Sequence, residues 1–160
     1  MGFEVNKKDR SYATLDNVLR SCYGVLSLRD HSSIELRNKQ IDKGYAPELV
    51  DEAIEYLIQE KYLNDQLFAR GYFESRLHKG HGPMRIARDM RTRQIPGKLI
   101  EALMSEHEHS WTDQAKQVKL RKFGPEVKKD QKWKGKVFRY LAYRGFYQSD
   151  IMAAMTQVED

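Results

Sequence analysis

Apolar residues in this chain recur four apart, and the resulting clusters recur about every fifty residues. The set Leu36, Gln40, Gly44, Tyr45, Val50, Ala53 and Ile54 returns fifty residues later as Ile86, Met90, Gln94, Ile95, Ile100, Leu103 and Met104. It returns again as Val137, Leu141, Gly145, Phe146, Ile151, Ala154 and Met155. Six of the seven columns are apolar in at least two copies, and the seventh reads Gly, Gln, Gly. Pairs four apart put one buried stripe on a helix. Gly44 and Gly145 stand where a helix C-terminus wants a left-handed residue. The large residue after each stop (Tyr45, Ile95, Phe146) can fold back onto the helix just ended. The pairs Val50/Ile54, Ile100/Met104 and Ile151/Met155 then predict a second helix.

A further helix precedes each of these pairs. Leu15-Asp16-Asn17 opens a run containing Val18, Leu19, Cys22, Val25 and Leu26. Asn64-Asp65-Gln66 and Thr112-Asp113-Gln114 are N-cap signatures. Ser32 with Glu35 has the spacing of a capping box. Gly82-Pro83 and Gly124-Pro125 punctuate the later units. Lys116 and Gln117 stand where unit two has Phe68 and Ala69, which makes the first helix of unit three the more polar one.

The pattern predicts an all-α protein of three tandem three-helix repeats, at residues 14–63, 64–110 and 111–160, after an N-terminal tail at 1–13. Stacking in series would give an elongated, curved body. A compact helical bundle with accidental self-similarity is the alternative. Strand signals are thin: no alternating β-branched run and no Asn-Gly hairpin.

Composition narrows the class. The chain has 160 residues and one cysteine, Cys22, so it forms no intrachain disulfide and no cysteine-based zinc site. Its longest apolar run, Ile151–Met155, is far short of the roughly 20 residues that span a bilayer. The N-terminus lacks the apolar stretch of a signal peptide, and Asn6 stands where a myristoylation signal needs Ser or Thr. A cytoplasmic, reduced location and no membrane partner are expected. The net charge of +5 is unevenly spread: −2 over residues 1–63, +2 over 64–111 and +5 over 112–160. A basic second half suits a polyanionic partner, nucleic acid being the commonest.

A search for catalytic chemistry finds none. Gly80-His81-Gly82 lacks both the strand before a phosphate loop and the Lys-Ser/Thr after it. His107-Glu108-His109 has no evident third metal ligand and reads as an exposed linker. His78 and His81 flank Lys79-Gly80 and read as exposed. Cys22 falls on an apolar helix face, as a core residue does. No catalytic residue, metal site or cofactor is assigned.

A binding surface remains. Seven basic residues and one acid lie between Arg76 and Lys98. Arg85, Arg88 and Arg91 fall three apart, opposite Ile86 and Met90. Eleven basic residues and two acids lie between Lys116 and Arg144, interleaved with Trp133, Phe138, Tyr140 and Tyr143. Arginine forks suit phosphate or carboxylate, and basic with aromatic residues suit nucleic-acid strands. Core packing is the other reading of the aromatics, and spacing does not choose for Phe138 and Tyr140. The candidate contact residues are Arg76, Lys79, Arg85, Arg88, Arg91, Arg93, Lys132, Lys134, Lys136, Arg139 and Arg144.

The segment from Tyr62 to Tyr72 (Tyr-Leu-Asn-Asp-Gln-Leu-Phe-Ala-Arg-Gly-Tyr), followed by Arg76-Leu-His-Lys-Gly-His-Gly-Pro-Met-Arg-Ile, closely resembles the signature of the RecX family of regulatory proteins. The resemblance extends to Ser33-Ile-Glu-Leu, Lys43-Gly44-Tyr45 and Arg144-Gly145-Phe146. It implies a cytoplasmic, monomeric protein of tandem three-helix repeats that binds the filament of the bacterial recombinase RecA on DNA. Such proteins limit filament growth or promote its disassembly, suppress its ATPase, strand exchange and coprotease activities, and carry no catalytic site. Some bind DNA as well, single-stranded or duplex.

By the same resemblance Tyr62, Leu63, Phe68, Ala69, Tyr72 and Ile86 pack within unit two, Asp65 is a helix cap, and Gly80, Gly82 and Pro83 form a bend. Arg76, Lys79 and Arg85 match as exposed contact residues. The chain departs from the pattern at Gln40, where leucine is usual, and at Gln94, where glycine is usual. The alternatives are a DNA-binding helical protein, nonspecific or regulatory, and a general helical scaffold.

Overall fold

The fold is given by a computed structural model in which residues 9–156 are described, except for the side chain of His109. Residues 1–8 of the expected N-terminal tail and 157–160 at the end of the expected third unit lie outside this set. The described residues form nine α-helices and no strand: α1 Leu15–Leu26, α2 Ser33–Asp42, α3 Pro47–Gln59, α4 Asp65–His78, α5 Pro83–Thr92, α6 Gly97–Glu106, α7 Trp111–Phe123, α8 Gln131–Tyr143 and α9 Gln148–Ala154. A short 3-10 turn at Glu108–Ser110 precedes α7. The expected all-α arrangement of three helix triplets is what the chain forms.

The repeated columns are the core. Leu36, Val50, Ile86, Met90, Val137 and Leu141 are wholly buried, and the residues after the stops (Tyr45, Ile95, Phe146) are buried too. Each stop is left-handed: φ is 97° at Gly44, 54° at Gln94 and 91° at Gly145. Gln94 adopts a conformation that costs a side-chain-bearing residue about 1–2 kcal/mol. Its side chain accepts a hydrogen bond from Asn38 Nδ2, which offsets part of that. A further left-handed residue, Lys61 at φ 62°, ends α3 without a glycine to announce it.

The helix starts come out close to expectation, with corrections in detail. Thr14 caps α1 through a full capping box with Asn17. Ser32 accepts from the Glu35 N–H at 3.1 Å, but Glu35 turns its carboxylate to Arg29 instead of completing the box. Asn64 caps α4 by accepting from Leu67 N–H at 3.1 Å. Asp65, expected to cap its own helix, accepts from Ser33 N–H at 2.7 Å and thereby caps α2. Tyr62 is 58% exposed and stacks edge-on against Tyr23, rather than packing inside unit two.

In α7 the start moves to Trp111, ahead of the Thr112-Asp113 signature. Its buried residues Ala115 and Lys119 lie four apart, as do Val18 and Cys22 in α1 and Ala69 and Phe73 in α4. Lys119, rather than Lys116, therefore takes the place of an apolar residue. Its ammonium donates to the carbonyls of Gly124, Pro125 and Glu126 and lies over the Trp133 ring. Burial lowers its pKa.

The chain divides into two compact units, one formed by residues up to Ala69 with Arg93–Ile95, the other by Arg70–Thr92 with residues from Pro96 onward. In the first, α1 and α2 pack on α3 around Val18, Cys22, Leu36, Val50, Ala53 and Leu57. In the second, α5 packs on α6, while α7 packs on α8 and, most extensively, on α9 around Ala115, Val118, Val137, Leu141, Phe146 and Ile151. Thr112 ties α7 to α9 by donating to Asp150 at 2.7 Å.

Candidate nucleic-acid and partner interface

The stops between helices are where upstream chain attaches. In the first unit the N–H of Arg10 donates to the Gly44 carbonyl at 3.1 Å, and Arg10 Nη1 donates to the Tyr45 hydroxyl at 3.1 Å. Ser32 Oγ lies 3.0 Å from the carbonyls of both Arg93 and Gln94. In the second unit Gly82 N–H donates to the Arg144 carbonyl at 2.7 Å, and Met84 N–H to the Gly145 carbonyl at 3.0 Å. Ser32 and Gly82 occupy the same column of the fifty-residue repeat. The same attachment is thus made once by a hydroxyl and once by backbone alone.

These attachments engage several of the candidate cations. Arg93 is half-buried, 3.9 Å from Glu35, which also pairs with Arg29. Burial pushes the Glu35 carboxyl up, but the Arg29 hydrogen bond and the charges of Arg29, His31 and Lys39 outweigh it and hold the pKa low. Arg93 belongs to the first unit; the other ten candidates belong to the second.

In the second unit, three arginines gather around a histidine. His81, expected to be exposed, is buried. Its pKa is lowered to about 4, by burial first and then by Arg85, with Arg144 and Arg76 adding to the effect and Asp89 opposing it. Asp89 lies 3.9 Å from His81 Nδ1 and 3.9 Å from Arg85 Nε. Arg76 stacks over Tyr72, with 4.6 Å to the ring centroid, and Arg85 lies 5.6 Å from the Tyr143 centroid. Arg76 and Arg85, expected to be exposed, are half-buried. The expected row of Arg85, Arg88 and Arg91 therefore reduces to Arg88 and Arg91 as its exposed members.

Arg144 is fixed at both ends of its fork, donating to the Lys79 carbonyl and to the Tyr140 hydroxyl. Lys79 is exposed beside it. On α8, Lys132, Lys136, Arg139 and Tyr143 are exposed at helical spacing, while Lys134 is half-buried. Trp133, Phe138 and Tyr140 all pack partly against the apolar core of the second unit, and Tyr143 is 79% exposed. Arg121 and Lys122 stand outside the expected contact residues, because nothing in their local spacing sets them apart from the other cations of Lys116–Arg144. They form the last basic turn of α7, and with Lys79 and Arg144 they line one cavity.

The remaining chemistry-bearing residues are packed. Cys22 is buried, with its thiol pushed up to about 11 by burial. His107, expected in an exposed linker, is half-buried against Phe73 at 4.6 Å, and its Nδ1 lies 3.0 Å from the Leu103 carbonyl. The side chain of His109 lies outside the described residues. Among those residues there is no group of three potential metal ligands, and no helix is long and apolar enough to cross a membrane.

Models of the first, second and third three-helix domains of RecX match residues 19–57, 64–104 and 112–155, in that order. Regulatory protein RecX of Serratia proteamaculans (strain 568) is 35% identical over 161 residues, covering 87% of this chain and 96% of that one. Regulatory protein RecX of Vibrio vulnificus (strain CMCP6) is 34% identical over 132 residues, covering 82% and 86%. The crystal structure of RecX from Lactobacillus salivarius shares the fold, with a TM-score of 0.72 at 16% identity over 88% of this chain and 94% of that one.

Proposed function

The chain belongs to the RecX family of regulatory proteins, and from that premise we propose that it restrains a RecA-type recombinase in the bacterial cytoplasm. In this reading it binds the recombinase filament on DNA as a monomer and limits filament growth, ATP hydrolysis, strand exchange and coprotease activity. It does so by binding, without catalysis of its own. The observation that carries the reading is the match of all three domains in order along most of the chain.

The charge distribution fits a partner that combines protein and polyanion. The first sixty-three residues are net acidic, and the cations gather in the second unit. Exposed Arg88 and Arg91 on α5, and Lys132, Lys136 and Arg139 on α8, are the freest of them to meet phosphate or carboxylate. The half-buried Arg144 also holds the turn after α4 through the Lys79 carbonyl, while Arg76, Arg85 and Arg93 are partly engaged by Tyr72, Tyr143 and Glu35.

The test is the single-stranded-DNA-dependent ATPase of RecA titrated with this protein. Inhibition well below one protein per recombinase supports the regulator reading and favours capping or disassembly. Inhibition only near saturation favours coating along the filament, or competition for DNA, which a direct DNA-binding titration separates. No inhibition by folded protein at any ratio overturns the reading. The DNA-binding alternative predicts affinity for DNA in the absence of recombinase, falling steeply with salt.

A further inference from the structure

One cavity in the second unit is lined by cations with no carboxylate among the described residues around it. Lys79 and Gly80 come from the turn after α4, Arg121 and Lys122 from the end of α7, and Tyr140 and Arg144 from α8. Its volume is about 150 Å³, below the roughly 300–1,000 Å³ of pockets for drug-sized ligands. That is room for a small group rather than a whole cofactor.

Its polar groups are organised. Arg144 Nη1 donates to the Lys79 carbonyl, and Nη2 donates to the Tyr140 hydroxyl at 3.0 Å. Each terminal nitrogen of the fork retains a second N–H. Because the Tyr140 oxygen accepts from Arg144, its own proton must point elsewhere, so the hydroxyl is a donor to whatever lies beside it. The Tyr140 ring is fixed edge-on against Phe123, with centroids 5.4 Å apart. Lys122 Nζ lies 5.5 Å from the ring centroid and Arg144 Cζ 5.1 Å. Gly80 closes one side by lying against Val118, whose methyl would be 3.1 Å from a Cβ placed there. Four cations around so small a space repel one another, and an oxyanion among them would relieve that repulsion while accepting from the Tyr140 hydroxyl.

We propose that this cavity is a phosphate-binding site that takes one backbone phosphate of a nucleic-acid strand. It deepens the proposed function and rests on it only for where the strand comes from, the filament's own DNA. Inorganic phosphate shares the chemistry and is the other possible source.

The test uses the full chain and a fluorescent oligothymidylate, titrated at several salt concentrations without recombinase. Arg121 and Lys122 are exposed on a helix end, so Arg121→Gln with Lys122→Gln leaves the fold intact. The pair is expected to weaken binding about tenfold and to lower the salt slope by about 0.7, the share of one phosphate on a single strand. Tyr140→Phe removes one neutral donor together with the hydroxyl that accepts from Arg144, and leaves every charge in place. It is expected to weaken binding several-fold with the salt slope unchanged, which a diffuse basic surface does not predict. Lys132→Gln with Lys136→Gln, two exposed cations outside the cavity, should cost less than the cavity pair. Equal losses from both pairs, with Tyr140→Phe silent, would overturn the site in favour of diffuse attraction. Chemical shifts at Lys79–Gly80 that respond to inorganic phosphate but not to the oligonucleotide would overturn the nucleic-acid assignment. Wild-type protein that binds oligonucleotide through this site but leaves the RecA ATPase untouched would remove the filament reading and keep the site. RecA inhibition by the wild-type protein, with oligonucleotide binding unchanged in both cavity variants, would remove the site and keep the filament reading.

Discussion

Gly82 donates its N–H to the carbonyl of Arg144 at 2.7 Å, and a Cβ on Gly82 would fall 2.5 Å from the backbone of Gly145. The contact is reciprocal, since a Cβ on Gly145 would fall 2.5 Å from Arg85. Two stretches of main chain from different repeats therefore meet with no side chain between them. The turn that carries Lys79 and His81 is held in this way against the end of the helix that carries Tyr140 and Arg144.

Gly82→Ala is expected to destabilise the protein by about 1–3 kcal/mol, the range for forcing atoms into a packed site. Gly145→Ala should cost at least as much, because φ there is 91° as well. Gly71 is an internal comparison: it lies within α4 with nothing within 4 Å of its Cβ position. Gly71→Ala should stabilise by about 0.5–1 kcal/mol. Thermal unfolding of the three variants decides it, and a Gly82→Ala protein as stable as wild type would remove the contact from the account.

Ser32 makes the equivalent attachment with a side chain. Its hydroxyl caps α2 and faces two carbonyls at 3.0 Å while being wholly buried. Ser32→Ala is expected to cost about 1–2 kcal/mol, the upper part of the range for a lost N-cap. A urea melt with an unchanged midpoint would show that the hydroxyl contributes nothing beyond its volume.

Gln40 is wholly buried, and neither its amide nitrogen nor its amide oxygen has a hydrogen-bond partner among the described residues. An unsatisfied buried polar group costs about 1–3 kcal/mol. Leucine has similar bulk and no such need. Gln40→Leu should therefore raise stability by about that amount, read as a higher urea midpoint at unchanged slope. A loss of stability would mean that the amide is satisfied in solution.

His81 gives the fold a pH dependence with a definite sign. Its pKa falls from 6.5 in the unfolded chain to about 4 in the folded one, through burial and the neighbouring arginines. Between those values the unfolded chain binds a proton that the folded chain refuses, so stability falls as pH drops from 6.5 toward 4. The full effect is at most about 3 kcal/mol, at 1.36 kcal/mol per pKa unit. His81→Gln should flatten the stability profile across that window while leaving it unchanged above pH 7. An equally steep profile in the variant would assign the slope to other groups.

The sequence by itself determined the repeat and the periodic core. The columns at Leu36/Ile86/Val137 and Tyr45/Ile95/Phe146 are visible because helical spacing forces buried residues into fixed intervals, and all six are buried. Gly44 and Gly145 were legible as stops because almost only glycine tolerates that backbone, and Gln94 keeps the same conformation through its place in the repeat. The tertiary structure decided what spacing along one helix cannot see. Polar residues are assigned to the surface by default, yet His81 and Lys119 are buried because neighbouring elements close over them or supply carbonyls. Arg85 falls on the polar face of α5 but turns toward the ring of Tyr143, brought to it by α8. Arg121 and Lys122 gain significance only beside Lys79 and Arg144. Residues forty or more positions apart become neighbours through helix packing, and no local pattern encodes that distance.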